Sequence, residues 1–308
     1  MRLVLHIGST KTGSSALQWT LHARRSALLA EANALYPDRG IASSAHHLLA
    51  AAIHPGAWRL HADALPQDRA AYFEDTAAAI RADAGATGAG TIVLSSEYLW
   101  GSFPPRLYRT FREAFPDASV EIVAFLRRQD EWAISSYLQA VKSGEGRAFG
   151  EWAALNLLRE TSGLHYFRIV SRWAHFLDAR RVHVLRYAEA RHHVYASFCE
   201  RLGLPARTDF EVARVNPSPS AEGLLRLLEV NRSDASDEEK RERRREIMRT
   251  HRSDRASAET LMTPQERADM LRAGPISDRL IEETFLRDGR PLFEPLSEPV
   301  AAEGRTAP

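Results

Sequence analysis

Short apolar runs alternate with longer amphipathic stretches over the first two thirds of the chain. Four runs bounded by turn residues have the character of buried parallel strands: Leu3–Ile7, Thr91–Ser95, Val120–Leu126 and Val182–Arg186. Helical spacing between them predicts helices over Ser14–Leu29, Asp68–Asp83, Pro105–Ala114, Glu131–Val141, Leu164–Leu177 and Val194–Leu202, with a loop over Ala84–Gly90. This alternation predicts an α/β fold with three layers, in which helices cover both faces of a central, mainly parallel sheet.

Beyond Pro219 the pattern predicts helices and no further strand, and therefore a helical C-terminal extension. Helices are expected over Ala221–Val230, from Thr263-Pro264-Gln265-Glu266 onward, and over Ile276–Leu286. Ser236–Arg255 is densely charged, with acids preceding bases, which favours a solvated helix. A basic docking surface and a disordered insert are the alternatives. We predict one domain over residues 1–295, including a charged helical insert at about 232–260, and a flexible tail over 296–308.

Composition excludes several classes of protein. The 308 residues are 44% hydrophobic and 26% charged, as in globular proteins, and 41 Lys and Arg balance 40 Asp and Glu to a net charge of +1. This balance gives no general attraction to nucleic acid or to an anionic membrane. The single cysteine, Cys199, excludes an internal disulfide and a cysteine-based zinc site. No apolar stretch approaches a membrane span or a signal-peptide core, so we expect a cytoplasmic protein.

The first strand leads directly into a loop that suits an anion. Its sequence is Gly8-Ser9-Thr10-Lys11-Thr12-Gly13-Ser14-Ser15, and a predicted helix follows. Glycines let the backbone approach a ligand closely, and the free N–H groups at a helix start favour negative charge. The loop is not a Walker A motif, because Ser14 stands where that motif has its lysine and the lysine lies earlier, at Lys11.

A second anion-binding motif follows the third predicted strand. Arg127 ends this strand, and Ser135 lies eight residues later on the next predicted helix. An arginine at the carboxyl end of a strand and a serine on the following helix can converge on one phosphate. Arg128 paired with Ser136 is the alternative.

Together these motifs resemble those of sulfotransferases that use 3′-phosphoadenosine-5′-phosphosulfate (PAPS). HIGSTKTGSSALQ resembles the 5′-phosphosulfate loop of the bacterial and carbohydrate-type branch, and Arg127 and Ser135 match the spacing of its 3′-phosphate site. Weaker matches are Val182–Glu189, Phe198–Leu204 and Arg214–Ser218. The resemblance implies a P-loop-like fold, PAPS as co-substrate and 3′-phosphoadenosine-5′-phosphate (PAP) as product. It also implies nucleotide binding by these residues: Gly8, Lys11, Thr12, Gly13, Ser14, Ser15, Arg127 and Ser135.

Transfer of a sulfuryl group to an alcohol needs a cation at the leaving phosphate and a base at the acceptor hydroxyl. Lys11 is the candidate for the first role. Glu97 is the leading candidate for the base, because it follows a predicted strand at the edge where open α/β sheets bind ligands. His46 and His47 are the rival bases, since a neutral imidazole suits proton abstraction near pH 7. No ligand set for a metal accompanies them, and no metal is expected.

The sequence thus predicts a PAPS-dependent sulfotransferase that acts on a carbohydrate or small-molecule hydroxyl. A P-loop kinase-like phosphotransferase and a non-catalytic nucleotide-binding module are the alternatives. We expect no nucleic-acid or membrane partner, and a homo-oligomer stays open.

Overall fold

The structure is a computed structural model that describes residues 1–157, 163–205, 218–253, 261–272 and 275–295. Its strands are β1 (Arg2–His6), β2 (Ala34–Leu35), β3 (Thr91–Ser95), β4 (Ser119–Leu126), β5 (Arg181–Arg186), β6 (Ser218–Pro219) and β7 (Arg252–Ser253). Its helices are α1 (Ser14–Ala23), α2 (Arg25–Ala32), α3 (His47–Ile53), α4 (Arg69–Thr87), α5 (Pro105–Ala114), α6 (Gln129–Lys142), α7 (Phe149–Asn156), α8 (Tyr166–Phe176), α9 (Tyr187–Ala190), α10 (Val194–Leu202), α11 (Ala221–Arg232), α12 (Asp237–Thr250), α13 (Pro264–Arg272) and α14 (Pro275–Ile281). Short 3₁₀ turns span Ala57–His61 and Glu97–Leu99, and a π-helical turn spans Glu282–Leu286.

A five-stranded sheet in the order β2-β3-β1-β4-β5 forms the centre of the fold, and every pairing in it is parallel. The four predicted strands are confirmed, with bounds that agree within one residue. The prediction missed β2, because two residues are too few to show a periodic pattern. β1 lies between β3 and β4, and it brings the predicted anion loop to the middle of the sheet.

Side chains of alternate strand residues supply the cores on the two faces of the sheet. Leu3 and Leu5 of β1 pack in one buried cluster, whereas Val4 between them packs in another. Helices α3, α4, α5 and α8 cover the first face, and α1, α2 and α10 cover the second. This arrangement of three layers confirms the predicted α/β fold.

The C-terminal helices build a third apolar cluster against α6. Leu224 and Leu227 of α11 and Ile247 of α12 pack there with Ile134 and Val141. The predicted helix start is confirmed, since Thr263 and Glu266 form a capping box at α13. Ser236 and Glu239 form a further capping box at α12. The charged segment is helical from Asp237 to Thr250, as the solvated-helix interpretation requires. The predicted tail over 296–308 lies outside the described residues.

Three predicted elements were wrong. The first predicted helix, Ser14–Leu29, is divided into α1 and α2, because the backbone leaves helical geometry at Arg24. Ala84–Thr87 belongs to α4, which ends only at Gly88 in the left-handed conformation, and is therefore not a loop. A strand does follow Pro219, since β7 pairs antiparallel with β6.

Within the part of the chain that the structure describes, no helix has both the length and the apolar character to cross a bilayer.

Candidate active site

The site lies where the chain leaves the carboxyl ends of β1 and β4. These strands are neighbours, but the chain continues from β1 toward β2 at one edge of the sheet and from β4 toward β5 at the other. Such a change of direction opens a crevice beyond the strand ends, which is where open α/β sheets bind ligands. The loop of residues 8–13 follows β1 and Arg127 follows β4, so both lie at this edge of the sheet.

The backbone of the loop between β1 and α1 has the geometry that the predicted anion site needs. Gly8, Lys11 and Gly13 all have φ near +70°, and Lys11 is the only one of them with a side chain. Turns of this kind direct successive N–H groups to one concave side. Gly13 caps α1 without a side-chain hydrogen bond, so the first amides of the helix remain available to a ligand.

Two predicted ligand side chains stabilise the loop itself. The hydroxyls of Thr12 and Ser14 both donate to the carbonyl of Ser9, at 2.5 and 3.1 Å. Because both hydroxyls bind this one carbonyl, the conformation of the loop is fixed without a ligand. The backbone amides of the loop then remain available to an anion. Ser15 is exposed at the start of α1.

Arg127 connects the second predicted motif to the loop. Its Nη1 donates to the carbonyl of Lys11 at 3.2 Å, and its Nε donates to Glu131 at 3.1 Å. The hydroxyl of Tyr166 donates to the Arg127 carbonyl at 2.6 Å, which anchors the backbone of this residue. Arg127 Nη2 has no hydrogen-bond partner within the described residues and can reach a further anion.

Ser135 lies on the same face of α6 as Glu131 and Gln139, because residues four apart share a helix face. Lys11 Nζ donates to Gln139 Oε1 at 3.4 Å, so this face is the one turned to the loop. In the alternative pair, the Ser136 hydroxyl is buried and has no hydrogen-bond partner within the described residues, whereas Arg128 has other partners. Arg128 binds the fully buried Asp130 at 2.8 Å and the carbonyl of Glu294 at 3.4 Å.

Two further cations, Arg127 and Lys142, act on Lys11 of the loop. Burial and the neighbouring charges of Lys142 and Arg127 lower the pKa of Lys11 to about 8, against a raising effect of Glu97. The pKa of Lys142 is also lowered by burial. Sequence reasoning missed Lys142, although its place seven residues after Ser135 puts it on the same helix face, two turns further along.

Glu97 lies directly behind the loop. It follows Ser96 after β3, and a Cβ placed on Gly8 would lie 3.0 Å from Glu97 Cα and 3.2 Å from its Cγ. Burial raises the pKa of the Glu97 carboxyl, and the charge of Lys11 partly opposes this effect. The carboxylate therefore lies near the loop cation and holds a proton more strongly than an exposed glutamate does.

The two adjacent histidines have different surroundings in the structure. His47 begins α3, and its Nε2 lies 3.6 Å from Glu97 Oε2 while its Nδ1 lies 2.9 Å from Ser96 Oγ. His46 is fully buried: its Nδ1 accepts from the Ser95 amide at 3.2 Å, and its Nε2 lies 3.0 Å from the Pro37 carbonyl. Both ring nitrogens of His46 are thus occupied by backbone, whereas His47 faces the carboxylate. Burial lowers the pKa of each to about 4.

Aromatic side chains extend from His47 away from the loop. The Tyr98 ring is centred 4.4 Å from that of His47, and the Tyr98 hydroxyl lies 3.0 Å from His61 Nε2. His54 and Phe103 continue the cluster, with ring centres 5.1 Å apart. Sequence reasoning missed this wall, because its members come from three separate segments.

No group of three or more metal-ligating side chains occurs in the described ranges. Arg214–Pro217, most of the third weaker match, lies outside them.

No family model matches the chain, and no curated protein matches it. One solved structure that it resembles is the crystal structure of a sulfotransferase from Alicyclobacillus acidocaldarius, with a TM-score of 0.43 and 21% identity over 70% of this chain and 85% of that one. A likeness at this level carries no functional argument, and the function rests on the residues of the site.

Proposed function

We propose that the chain is a sulfotransferase that moves the sulfuryl group from PAPS to a hydroxyl of a carbohydrate or small-molecule acceptor. The observation that carries the proposal is the hydrogen bond from Arg127 to the Lys11 carbonyl. It connects the two predicted anion-binding motifs, which follow different strands. A ligand with phosphates at both the 5′ and the 3′ position needs two such anion sites.

The described residues fit this donor. The loop amides, the uncapped start of α1 and Lys11 would hold the phosphosulfate, and Arg127 with Ser135 would hold the 3′-phosphate. PAPS supplies an activated sulfuryl group, which leaves PAP as the product. Lys11 places a positive charge where negative charge develops on the leaving phosphate.

Glu97 is the proposed base, and His47 is its proposed partner. The raised pKa of Glu97 suits a group that must take a proton from an alcohol. His47 lies within 3.6 Å of the carboxylate and can orient the acceptor hydroxyl beside it. His46, bound on both nitrogens by backbone, would position the start of α3 rather than contact the acceptor.

Transfer of a phosphoryl group from ATP is less well supported. Ser14 occupies the position of the Walker A lysine, and its hydroxyl is bound to the Ser9 carbonyl within the loop. Arg127 and Ser135 would have no role with ATP, because ATP has no 3′-phosphate.

Calorimetry with PAP and ATP, followed by an acceptor screen with ³⁵S-labelled PAPS, tests the proposal. We expect PAP to bind at least about tenfold more tightly than ATP, since a charged phosphate contact contributes about 1.5–3 kcal/mol. Labelled product from a hydroxyl acceptor would confirm the activity. Equal affinity for the two nucleotides, or transfer from ATP, would support a kinase. Tight PAP binding without transfer to any acceptor would support a non-catalytic nucleotide-binding module.

A further inference from the structure

Lysine is rare in this chain compared with arginine. Among its 41 basic residues only three are lysines, namely Lys11, Lys142 and Lys240. Lys11 belongs to the anion loop, and Lys142 lies near enough for its charge to act on Lys11. An ammonium is a compact charge that fits a narrow site, whereas a guanidinium is a broad planar fork. Lysine at both positions is therefore suited to a small anionic group enclosed by the loop.

Three hydrogen bonds place the loop along α6, the helix that carries Lys142. Arg127 binds both the Lys11 carbonyl and Glu131, near the N-terminal end of α6, and the Lys11 ammonium binds Gln139 further along the helix. The loop therefore lies along one face of α6. Lys142 is three residues beyond Gln139 on that face and is partly buried there.

We infer that Lys142 is a second cationic ligand of the transferred sulfuryl group, acting together with Lys11 of the anion loop. This inference rests on the proposed function. Arg127 and Ser135 lie nearer the N-terminal end of α6 and are assigned to the 3′-phosphate. Lys142 is the last residue of α6, beyond Gln139, which binds the Lys11 side chain. It is therefore expected on the side of bound PAPS that is away from the 3′-phosphate. Two like charges in a partly buried site favour an anion between them.

The test compares the binding of PAPS and PAP by calorimetry in the wild type, Lys142→Met, Lys142→Arg and Lys240→Met. PAP retains both phosphates but lacks the sulfuryl group. We expect Lys142→Met to weaken PAPS binding about tenfold or more and PAP binding less than about threefold. Lys142→Arg should recover most of the loss, because it retains the charge. Lys240→Met, on the charged helix α12, is the matched control and should bind as the wild type does.

The pH dependence gives a second readout that a purely structural role would not change. Lys142 and Arg127 lower the pKa of Lys11, and Glu97 raises it. Removal of the Lys142 charge should therefore move the alkaline loss of PAPS binding to higher pH, and Lys142→Arg should not. Should Lys142→Met be unstable, Lys142→Gln offers a polar helix-compatible substitute.

Each result decides the inference. Equal weakening of PAPS and PAP would place Lys142 at the 5′-phosphate and overturn the assignment to the sulfuryl group. Unchanged binding of both, with an unmoved pH midpoint, would overturn any role at the donor. A wild-type protein that binds neither nucleotide would instead reject the proposed function itself.

Discussion

Gly8 and Glu97 are in direct backbone contact: a Cβ on Gly8 would lie 3.0 Å from Glu97 Cα. Gly8 also has φ of +71°, in the region that side chains disfavour. The position of Gly8, the first residue of the anion loop, therefore depends on the position of Glu97, the proposed base. A side chain cannot be added at Gly8 without a shift of the Glu97 backbone.

Substitution Gly8→Ala should reduce both nucleotide affinity and turnover. The added methyl group is strained by the positive φ and must displace the Glu97 backbone, so the loop and the base both shift. Calorimetry with PAP and the labelled-PAPS assay would measure the two effects. Gly88→Ala is the matched control: Gly88 has φ of +68° but no neighbour within 4 Å of an added Cβ. An active Gly8→Ala protein with unchanged PAP affinity would contradict this relationship.

Substitution Glu97→Gln should lower turnover by about 10²–10⁴-fold with PAP affinity nearly intact, because it removes the basic group and keeps its shape. His47→Ala should lower turnover less. Rate constants at saturating PAPS, together with PAP titrations, separate the two effects. If Glu97→Gln retained near-normal turnover while His47→Ala lost it, His47 would be the base. Were both variants active, the acceptor would need no protein base.

PAP affinity should fall as the pH rises through about 8. Lys11 binds an anion only when its amine is protonated, and its pKa is lowered to about 8. The protonated form is therefore fully populated well below this pH and is lost as the pH rises above it. Because a bound anion favours the charged form, binding near pH 9 should take up a proton. Calorimetry in buffers of different ionisation enthalpy measures this uptake. Lys11→Met should show neither effect, and a wild-type affinity that is flat from pH 7 to 9.5 would argue against Lys11 as an anion ligand.

Adjacent arginines should behave oppositely on substitution. Arg127→Met should weaken PAP binding by about 10- to 100-fold with little change in thermal stability. Arg128→Met should instead lower the free energy of unfolding by roughly 1–3 kcal/mol, because it removes one of the two arginines that bind the buried Asp130. PAP titration and thermal unfolding of both variants would show the difference. A loss of PAP affinity only in Arg128→Met would favour the alternative pair of Arg128 and Ser136.

The sequence by itself determined the fold class and the positions of the main elements. Buried parallel strands such as β3 and β4 are short apolar runs, and their pattern is local to each run. Helix starts are local as well: the capping box at Thr263 and Glu266 needs only four consecutive residues. The glycine loop after β1 can also be predicted from consecutive residues, because a strand, a turn and a helix start follow one another directly.

Only the tertiary structure decided which side chains meet. The strand order places β1 between β3 and β4, and this order brings Glu97, Lys11 and Arg127 near one another from three distant parts of the chain. Periodicity does not record strand order, because many orders bury the same apolar faces. The same limit applies to neighbours such as His46 and His47: the backbone of β3 and of Pro37 binds one ring, while the other ring faces Glu97. A side chain's partner depends on the path of the whole chain, and that path is fixed only when the layers pack together.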